Sequence, residues 1–190
     1  MITTRVASGT PEMKADSDFD AVERALRHQM FGTLSTLTKQ GHPHATGVVY
    51  AVSPRHEALT LYVTTRTTTR KVRNIREHPE VAFVVPVRHR FVPSFPPRCI
   101  QFLGTATVVG HEHDGAIRAF ESSWFLRRII AAEQQIVTQG GDLCFIRISP
   151  AATVFTYGIG MSFIENMRRP REAIGRVSIP ADRLTGSDGK

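Results

Sequence analysis

Residues 31–65 read FGTLSTLTKQGHPHATGVVYAVSPRHEALTLYVTT, and this stretch decides the fold. Apolar and small polar residues alternate with a period of two through FGTLSTLT, PHATGVVYAV and ALTLYVTT. The connections between them, KQGH and SPRHE, are short and contain turn-forming residues. Because a period of two places successive side chains on opposite faces of a strand, the pattern predicts three consecutive antiparallel strands.

The same alternation returns later in the chain. Four further strands are predicted at residues 80–87, 98–110, 142–149 and 152–159, with Pro150 breaking the last two apart. There is little room for helical crossovers between these segments, so the strands are expected to pair as hairpins. The sequence therefore predicts a mainly β (α+β) fold, a small closed or split, Greek-key-like antiparallel β-barrel with peripheral helices.

Three segments have helical spacing instead. Ser17 is predicted to cap a first helix, whose apolar residues recur on one face from Phe19 to Met30. A short helix follows within residues 70–79, and residues 114–138 form a longer amphipathic one.

The chain organisation follows from these elements. Residues 1–16 are expected to be a flexible tail, residues 17–159 the barrel domain, and residues 160–190 a polar C-terminal extension. Residues 89–97, HRFVPSFPP, contain three prolines and predict a loop.

Composition excludes several classes of protein. A chain of 190 residues with 41% hydrophobic and 22% charged residues fits one globular domain. No run approaches the roughly 20 apolar residues of a membrane-spanning helix, and the N-terminus lacks the apolar core of a secretory signal. We therefore expect a soluble, cytoplasmic protein without a membrane partner. Cys99 and Cys144 lack metal-site or disulfide-scaffold spacing and are predicted to be buried free thiols.

The positive charge is the most informative part of the composition. Lys and Arg number 24 against 17 Asp and Glu, and only four of the 24 are Lys. Arginine binds phosphate and carboxylate oxygens bidentately, so the excess favours an anionic ligand, although a compositional bias explains it equally well. Nucleic acid is not the expected partner, because the chain lacks a helix-turn-helix pattern, a zinc finger and a basic run with interleaved aromatics.

The densest functional signal is YVTTRTTTRKVRNIREHP, residues 62–79. A strand end, a hydroxyl-rich loop and a helix start follow one another there, with five basic residues and a single acid. Free backbone N–H groups and the helix dipole favour a phosphate at such a helix N-terminus. The alternative is an ordinary solvated helix face that begins at Thr69.

These segments resemble the pyridoxamine 5′-phosphate oxidase-like, flavin-binding split-barrel superfamily over roughly residues 20–158. The resemblance is carried by the strand and loop before Arg70-Lys71, by Asn74, by His78-Pro79 and by Gly104-Thr105-Ala106. It implies a homodimer with two flavin sites between the subunits. FMN is the implied cofactor.

The resemblance also implies which residues bind the cofactor. Lys71, Arg70 and Thr69 would bind its phosphate, together with Thr64 and Thr65 at the preceding strand end. The backbone of His44, Ala45 and Thr46 would line the isoalloxazine, and Gln101 would reach the ring from the fifth strand. The catalytic residues are not implied, because a hydride carrier supplies the chemistry itself.

Departures from the family pattern leave the cofactor and activity open. The only tryptophan is Trp124, so the C-terminal Trp- and Arg-containing segment of pyridoxamine phosphate oxidases is missing and that activity is not expected. The deazaflavin coenzyme, with its longer anionic tail, would suit additional arginines such as Arg66, Arg73 and Arg76. A non-catalytic flavin, haem or tetrapyrrole binder is the third alternative.

Two other features bear on the site. Phe91 and Phe95, between Arg88 and Arg98, predict an apolar pocket with a cationic rim for a small conjugated anionic substrate. The pairs His42/His44 and His111/His113 fall at turns, and no metal site is expected there.

Overall fold

A computed structural model describes residues 15–88, 98–136, 142–169 and 171–184. The predicted proline-rich loop, with Phe91 and Phe95, and the first 14 residues lie outside these ranges. The strands are β1 Phe31–Leu37, β2 Pro43–Val52, β3 Leu61–Arg66, β4 Glu80–Val87, β5 Arg98–Gly110, β6 Leu143–Tyr157 and β7 Ile174–Ser178. The helices are α1 Ala15–His28, α2 Arg70–Glu77, α3 Asp114–Glu121, α4 Trp124–Ile136, α5 Phe163–Arg168 and α6 Ala181–Leu184. None of these described helices is long and apolar enough to cross a membrane.

The strands pair antiparallel in the order β3-β2-β1-β4-β5-β6-β7, and an additional pairing of β3 with β6 closes the first six into a barrel. β4 returns beside β1 after the β1-β2-β3 meander, which is a Greek-key connection. β7 extends the sheet outside the closed ring by pairing with the second half of β6. The predicted mainly β barrel is confirmed.

The barrel is closed unevenly. β2 and β3 share only the pairs Tyr50–Val63, Ala51–Tyr62 and Val52–Leu61, although β2 has ten residues. Before Tyr50 the two strands diverge, while β1 pairs with β2 along its whole length. The split in the barrel therefore lies between the first half of β2 and the end of β3.

The core fills the barrel and extends under two helices. Inward-facing Leu34, Tyr50, Phe83 and Ile100 are almost fully buried, because alternate residues of each strand face inward. From α1, Phe19, Val22 and Leu26 join this cluster, as the helical period predicted. A second cluster forms where α3 and α4 cover the outer face of β2, β3 and β6, with Ala51, Phe120 and Phe145 at its centre.

The structure corrects three sequence predictions. β6 is one strand through Pro150, which lies opposite Gly104 where the β5–β6 register shifts. The helix predicted over 114–138 is two helices, and Trp124 at the start of the second is exposed. The C-terminal extension was predicted to be polar tail, but it contributes α5, β7 and α6.

Two smaller differences concern the first helix and the thiols. α1 begins at Ala15, two residues before the predicted cap at Ser17. Both cysteines are free as predicted, but only Cys144 is buried, whereas Cys99 is half-buried.

Candidate functional site

Helix α2 begins immediately after β3 and covers the barrel. Val72 and Ile75, three residues apart, pack into the core, so the opposite face and the N-terminus remain outside. Thr69 precedes the helix in an extended conformation, and its side chain does not cap the helix. The first turn contains no acidic residue. The first backbone N–H groups of a helix have no intrahelical acceptor, so a helix start without acidic residues favours an anion.

Two threonine hydroxyls lie beside this helix start. Thr69 donates a hydrogen bond to the Arg66 carbonyl at 3.0 Å, and its oxygen lies 3.2 Å from the Thr65 hydroxyl. Thr64 is the register partner of Phe145 and faces the outer side of β3 instead, where its buried hydroxyl has no hydrogen-bond partner among the described residues.

Basic side chains complete this region. Arg70 is exposed and Lys71 is half-buried at the first two positions of α2. Burial raises the pKa of the Cys144 thiol, and the positive charges of Arg76 and Lys71 oppose the rise. Because Cys144 is the register partner of Thr65, Lys71 lies on the same side of the barrel as Thr65. The structure thus places Thr65, Thr69, Arg70 and Lys71 at the start of α2, while Thr64 faces the opposite side of β3.

The free edge of β2 faces this region across the split. The N–H of Tyr50 donates to Met30 and the carbonyl of His44 accepts from Thr36, so even-numbered residues direct their backbone groups toward β1. Odd-numbered residues direct theirs toward β3, where strand pairing stops before Tyr50. Of the three predicted β2 residues, Ala45 therefore presents its backbone N–H and carbonyl at the split, and His44 and Thr46 do not.

A buried hydrogen-bond chain joins α2 to β2. The Asn74 side chain donates to the Thr36 hydroxyl at 2.9 Å, and Thr36 donates to the His44 carbonyl at 3.3 Å. Asn74 and Thr36 are both buried. The sequence motif contained Asn74, but Thr36 was missed because its partners are distant in the sequence and a threonine in a strand carries no signal of its own.

Gln101 lies elsewhere in the single chain. It is exposed on the outer face of β5, opposite Val84 and Phe155. β5 meets the end of α2 at Ala106, whose N–H donates to the Pro79 carbonyl. Five residues of strand, about 17 Å, separate that contact from Gln101. Gln101 therefore lies away from the C-terminal end of α2.

A cavity of about 760 Å³ adjoins α2 on its other side. Thr67, Arg76 and Cys144 line it, together with Asp142 and His111. The neighbouring histidines have local partners: His111 Nδ1 lies 2.9 Å from a Glu112 carboxylate oxygen, and His113 accepts the Ala116 N–H at the start of α3.

Comparison with solved structures shows the same fold in proteins of low sequence identity. The haem storage protein HutZ of Vibrio cholerae has a TM-score of 0.57 at 17% identity, covering 78% of this chain and 98% of that one. A haem-binding protein from Mycobacterium smegmatis has a TM-score of 0.60 at 17% identity, covering 88% of this chain and 60% of that one. A conserved hypothetical protein, Rv2991, from Mycobacterium tuberculosis has a TM-score of 0.54 at 21% identity, covering 81% and 89%.

A search of curated proteins gave no match. The family model described as pyridoxamine 5′-phosphate oxidase, in contrast, matches residues 19–157, which include the whole barrel and α2. That match covers well over half of the sequence, and it includes the threonines, the basic helix start and the free edge of β2. The chain therefore belongs to the pyridoxamine 5′-phosphate oxidase family.

Proposed function

We propose that this protein is a homodimeric, flavin-dependent oxidoreductase that binds FMN between the split of the barrel and the N-terminus of α2. The observation that carries the proposal is the start of α2, where Arg70 and Lys71 follow the hydrogen-bonded hydroxyls of Thr65 and Thr69 and the first turn contains no acidic residue. A phosphate there would satisfy backbone N–H groups and cationic side chains at once.

In this proposal the phosphate is held by the residues that the structure brings together. The first-turn backbone of α2 donates N–H groups, and Arg70 and Lys71 supply positive charge. Thr65 and Thr69, hydrogen-bonded to one another, fix the loop that places these groups. Family membership supports a flavin as the ligand that contains this phosphate.

The flavin ring belongs at the free edge of β2. Its pyrimidine portion has both donors and acceptors, and the Ala45 backbone presents one of each toward the split. Asn74 and Thr36 hold β2 at a fixed distance from the phosphate helix. When bound, the flavin carries a hydride or electrons to or from a small conjugated substrate. The protein's contribution is binding, orientation and the exclusion of water.

A second copy of the chain would complete the site. The outward-facing side chains of the central strands form a surface that we call the uncharged face: Phe31, Thr33, Ser35, Leu37, Ala45, Ala82, Val84, Gln101, Leu103 and Phe155. Glu80 and Arg176 are charged residues at its border, and the Arg176 guanidinium lies 5.4 Å from the centroid of the Phe155 ring. Because a core of an interface is depleted of charge, this face suits a homodimer. Ala45 and Gln101 both lie on this face. In the proposed dimer, the partner's Gln101 would therefore lie within reach of the flavin ring.

Two observations favour other ligands for the same site. Arg66, Arg73 and Arg76 would suit the longer anionic tail of the deazaflavin coenzyme, and Arg76 lines the neighbouring cavity together with Glu112 and Asp142. The names of two structural neighbours, a haem storage protein and a haem-binding protein, favour haem, whose propionates are also anions. A haem-binding protein without turnover is therefore the second candidate function.

Parallel titrations separate these functions. The purified protein would be titrated with FMN, the deazaflavin coenzyme and haemin at one salt concentration, with absorbance and fluorescence recorded. Tight FMN binding with quenched fluorescence, followed by consumption of a reductant, supports the flavoenzyme. Preference for haemin with no turnover supports the binder, and failure of all three ligands to bind overturns the site.

Charge reversal at Lys71 tests the phosphate assignment. Lys71→Glu replaces an attractive contact with repulsion, so we expect FMN binding to weaken by about 3 kcal/mol, roughly a hundredfold in Kd. Arg24→Glu, the same change on the exposed face of α1, is the matched control and should leave Kd unchanged. Melting temperatures of both variants separate lost affinity from lost folding. Equal FMN affinity in the two variants would contradict the assignment.

A further inference from the structure

A second cavity lies at the far end of β4 from α2. It measures about 570 Å³ and is enclosed by the C-terminal half of α1, the adjoining ends of β4 and β5, and the turn after β6. Since α2 leads into the first residue of β4 and the cavity adjoins its last, the two sites of one chain are separated by the length of that strand. Volumes of this size are typical of small-molecule sites.

The walls of the cavity combine apolar residues, two arginines and, at the end of α1, His28 and Gln29. Ala21 and Ala25 of α1, Val87 of β4 and Ile159 supply apolar surface. Arg88 and Arg98 supply positive charge, and the described lining contains no carboxylate. Such a combination, apolar walls with a few polar groups at one side, selects a ligand with an apolar body and an anionic head.

The two arginines are held at adjacent positions. Arg98 is the register partner of Val87, and its Nη2 donates to the Arg88 carbonyl at 2.9 Å. The Nε of Arg98 is buried and has no hydrogen-bond partner in the described structure. The charge of this guanidinium has no carboxylate partner in the described lining, and a carboxylate in the cavity would pair with its outer nitrogens.

The turn after β6 leaves room for such a ligand. Gly158 and Gly160 have φ of 66° and 80°, a conformation that other residues rarely adopt. A Cβ at Gly160 would meet no atom within 4 Å, so this turn opens onto free space. The turn YGIGM, residues 157–161, and the two arginines that flank the proline-rich segment, Arg88 and Arg98, thus lie around one cavity.

The end of α1 opposes an anion only weakly. The C-terminus of a helix carries about half a negative charge, and the Ala25 carbonyl is already bonded to the Gln29 N–H. Two guanidinium groups outweigh that partial charge. The electrostatic balance in the cavity therefore remains positive.

We propose that this cavity is a binding site for a small organic monocarboxylate with an aromatic or branched apolar body. Its carboxylate pairs with Arg98 and Arg88, and its body lies against α1 and Val87. The site is separate from the flavin site of the same chain, so it does not depend on the proposed function.

Calorimetric titration with 2-naphthoate tests the site, with 2-naphthamide as the uncharged probe of similar shape. Naphthoate should bind at least about tenfold more tightly than the amide, since its head forms charge-assisted hydrogen bonds. Arg98→Met and Arg88→Met should each remove most of that preference. Arg24→Met, on the exposed face of α1, should not. Amide chemical shifts at Val87 and Gly160 on titration give the location of the bound probe.

Each outcome is decisive for the cavity. Equal binding of acid and amide, or naphthoate affinity unchanged in both Arg88→Met and Arg98→Met, overturns the proposal. Arg88 is exposed, so Arg88→Met keeps the test valid if Arg98→Met does not fold. Lys71→Glu should still bind naphthoate, and a protein that binds naphthoate in this way but no flavin would remove the proposed function and retain this site.

Discussion

At the scale of single residues, Asn74 belonged to the sequence motif, but the motif did not indicate what its side chain does. Its position three residues after Lys71 marked the family resemblance, but its role follows from the fold. Asn74 donates to Thr36, and Thr36 to the carbonyl of His44, so a helix residue and two strands share one buried chain of hydrogen bonds. No local pattern predicts this, because 38 positions separate Asn74 and Thr36.

Removal of the Asn74 side chain tests that role. Asn74→Ala leaves the buried Thr36 hydroxyl without its donor, and we expect the free energy of unfolding in urea to fall by about 1–3 kcal/mol. In the proposed complex with FMN, the flavin spectrum should also shift, since β2 loses its link to α2. Thr36→Val is the companion variant: the double variant should cost less than the sum of the single ones. Strict additivity would show that the two side chains are not coupled.

A second residue-scale prediction concerns Glu23. Its carboxylate is 2% exposed and contacts Arg27 at 2.6 Å and Arg183 at 2.9 Å, with Arg55 at 3.8 Å. Three cations converge on one acid and tie α6 and the β2–β3 connection to α1. Glu23→Ala would leave buried positive charge uncompensated, so we expect a loss of about 3–5 kcal/mol in unfolding free energy.

The control for Glu23 is Asp20→Ala, an exposed acid on the same helix. It should change the unfolding free energy by less than about 0.5 kcal/mol. If Glu23→Ala and Asp20→Ala have the same unfolding free energy, the cluster around Glu23 contributes little to stability. Neither α6 nor this cluster was predicted, because a four-residue helix has too little pattern to detect.

At the scale of elements, the hairpins were predictable and the long strands were only partly so. β1 and β2 keep a strict alternation and end at turn residues, so their bounds came directly from the period. β6 was predicted as two strands because proline lacks the N–H that a central strand needs. At Pro150 the β5–β6 ladder shifts its register, so that N–H is not required there and the strand continues.

The candidate site was predictable in the same partial way. The residues at the start of α2 are close in sequence, and local order was enough to group them. Gln101 depends on which face of β5 points toward a partner, which one sequence does not contain. The apolar spacing of residues 114–138 did not reveal their division into α3 and α4, because Ser122 ends α3 without disturbing that spacing.

Gly104 tests the register shift between β5 and β6. A Cβ there would lie 2.4 Å from the Ser149 carbonyl oxygen, which is backbone and has little freedom to move. Gly104→Ala should therefore destabilise the barrel by about 1–3 kcal/mol, measured by urea denaturation. Gly41→Ala is the comparison: it meets no neighbour but has φ of 77°, so it should cost about 1 kcal/mol. A smaller loss at Gly104 than at Gly41 would contradict a tight approach of the two strands.

At the scale of the whole molecule, the distribution of charge separates the surfaces. The chain carries a net charge of +7, yet the uncharged face spans the central strands. Five basic residues, at positions 66, 70, 71, 73 and 76, lie on α2 or just before it, and two arginines line the cavity beside α1. Exposed uncharged surfaces are typical of faces that another surface covers. The separation therefore connects the two proposals for this protein, a dimer through the uncharged face and anion binding beside it.

Leu103 is the most direct test of that arrangement. It is 61% exposed on the uncharged face, and Leu103→Arg would place a charge where two copies meet. We expect light scattering to show a dimer for the parent protein and a 21.1 kDa monomer for the variant. Ile164→Arg, a similar change at a 60% exposed residue of α5, should leave the dimer intact. FMN affinity should fall only in Leu103→Arg, because the ring loses the partner's surface while Lys71 and the phosphate site are unchanged. A monomer that binds FMN as tightly as the parent would place the whole flavin site within one chain, and the uncharged face would then have no part in it.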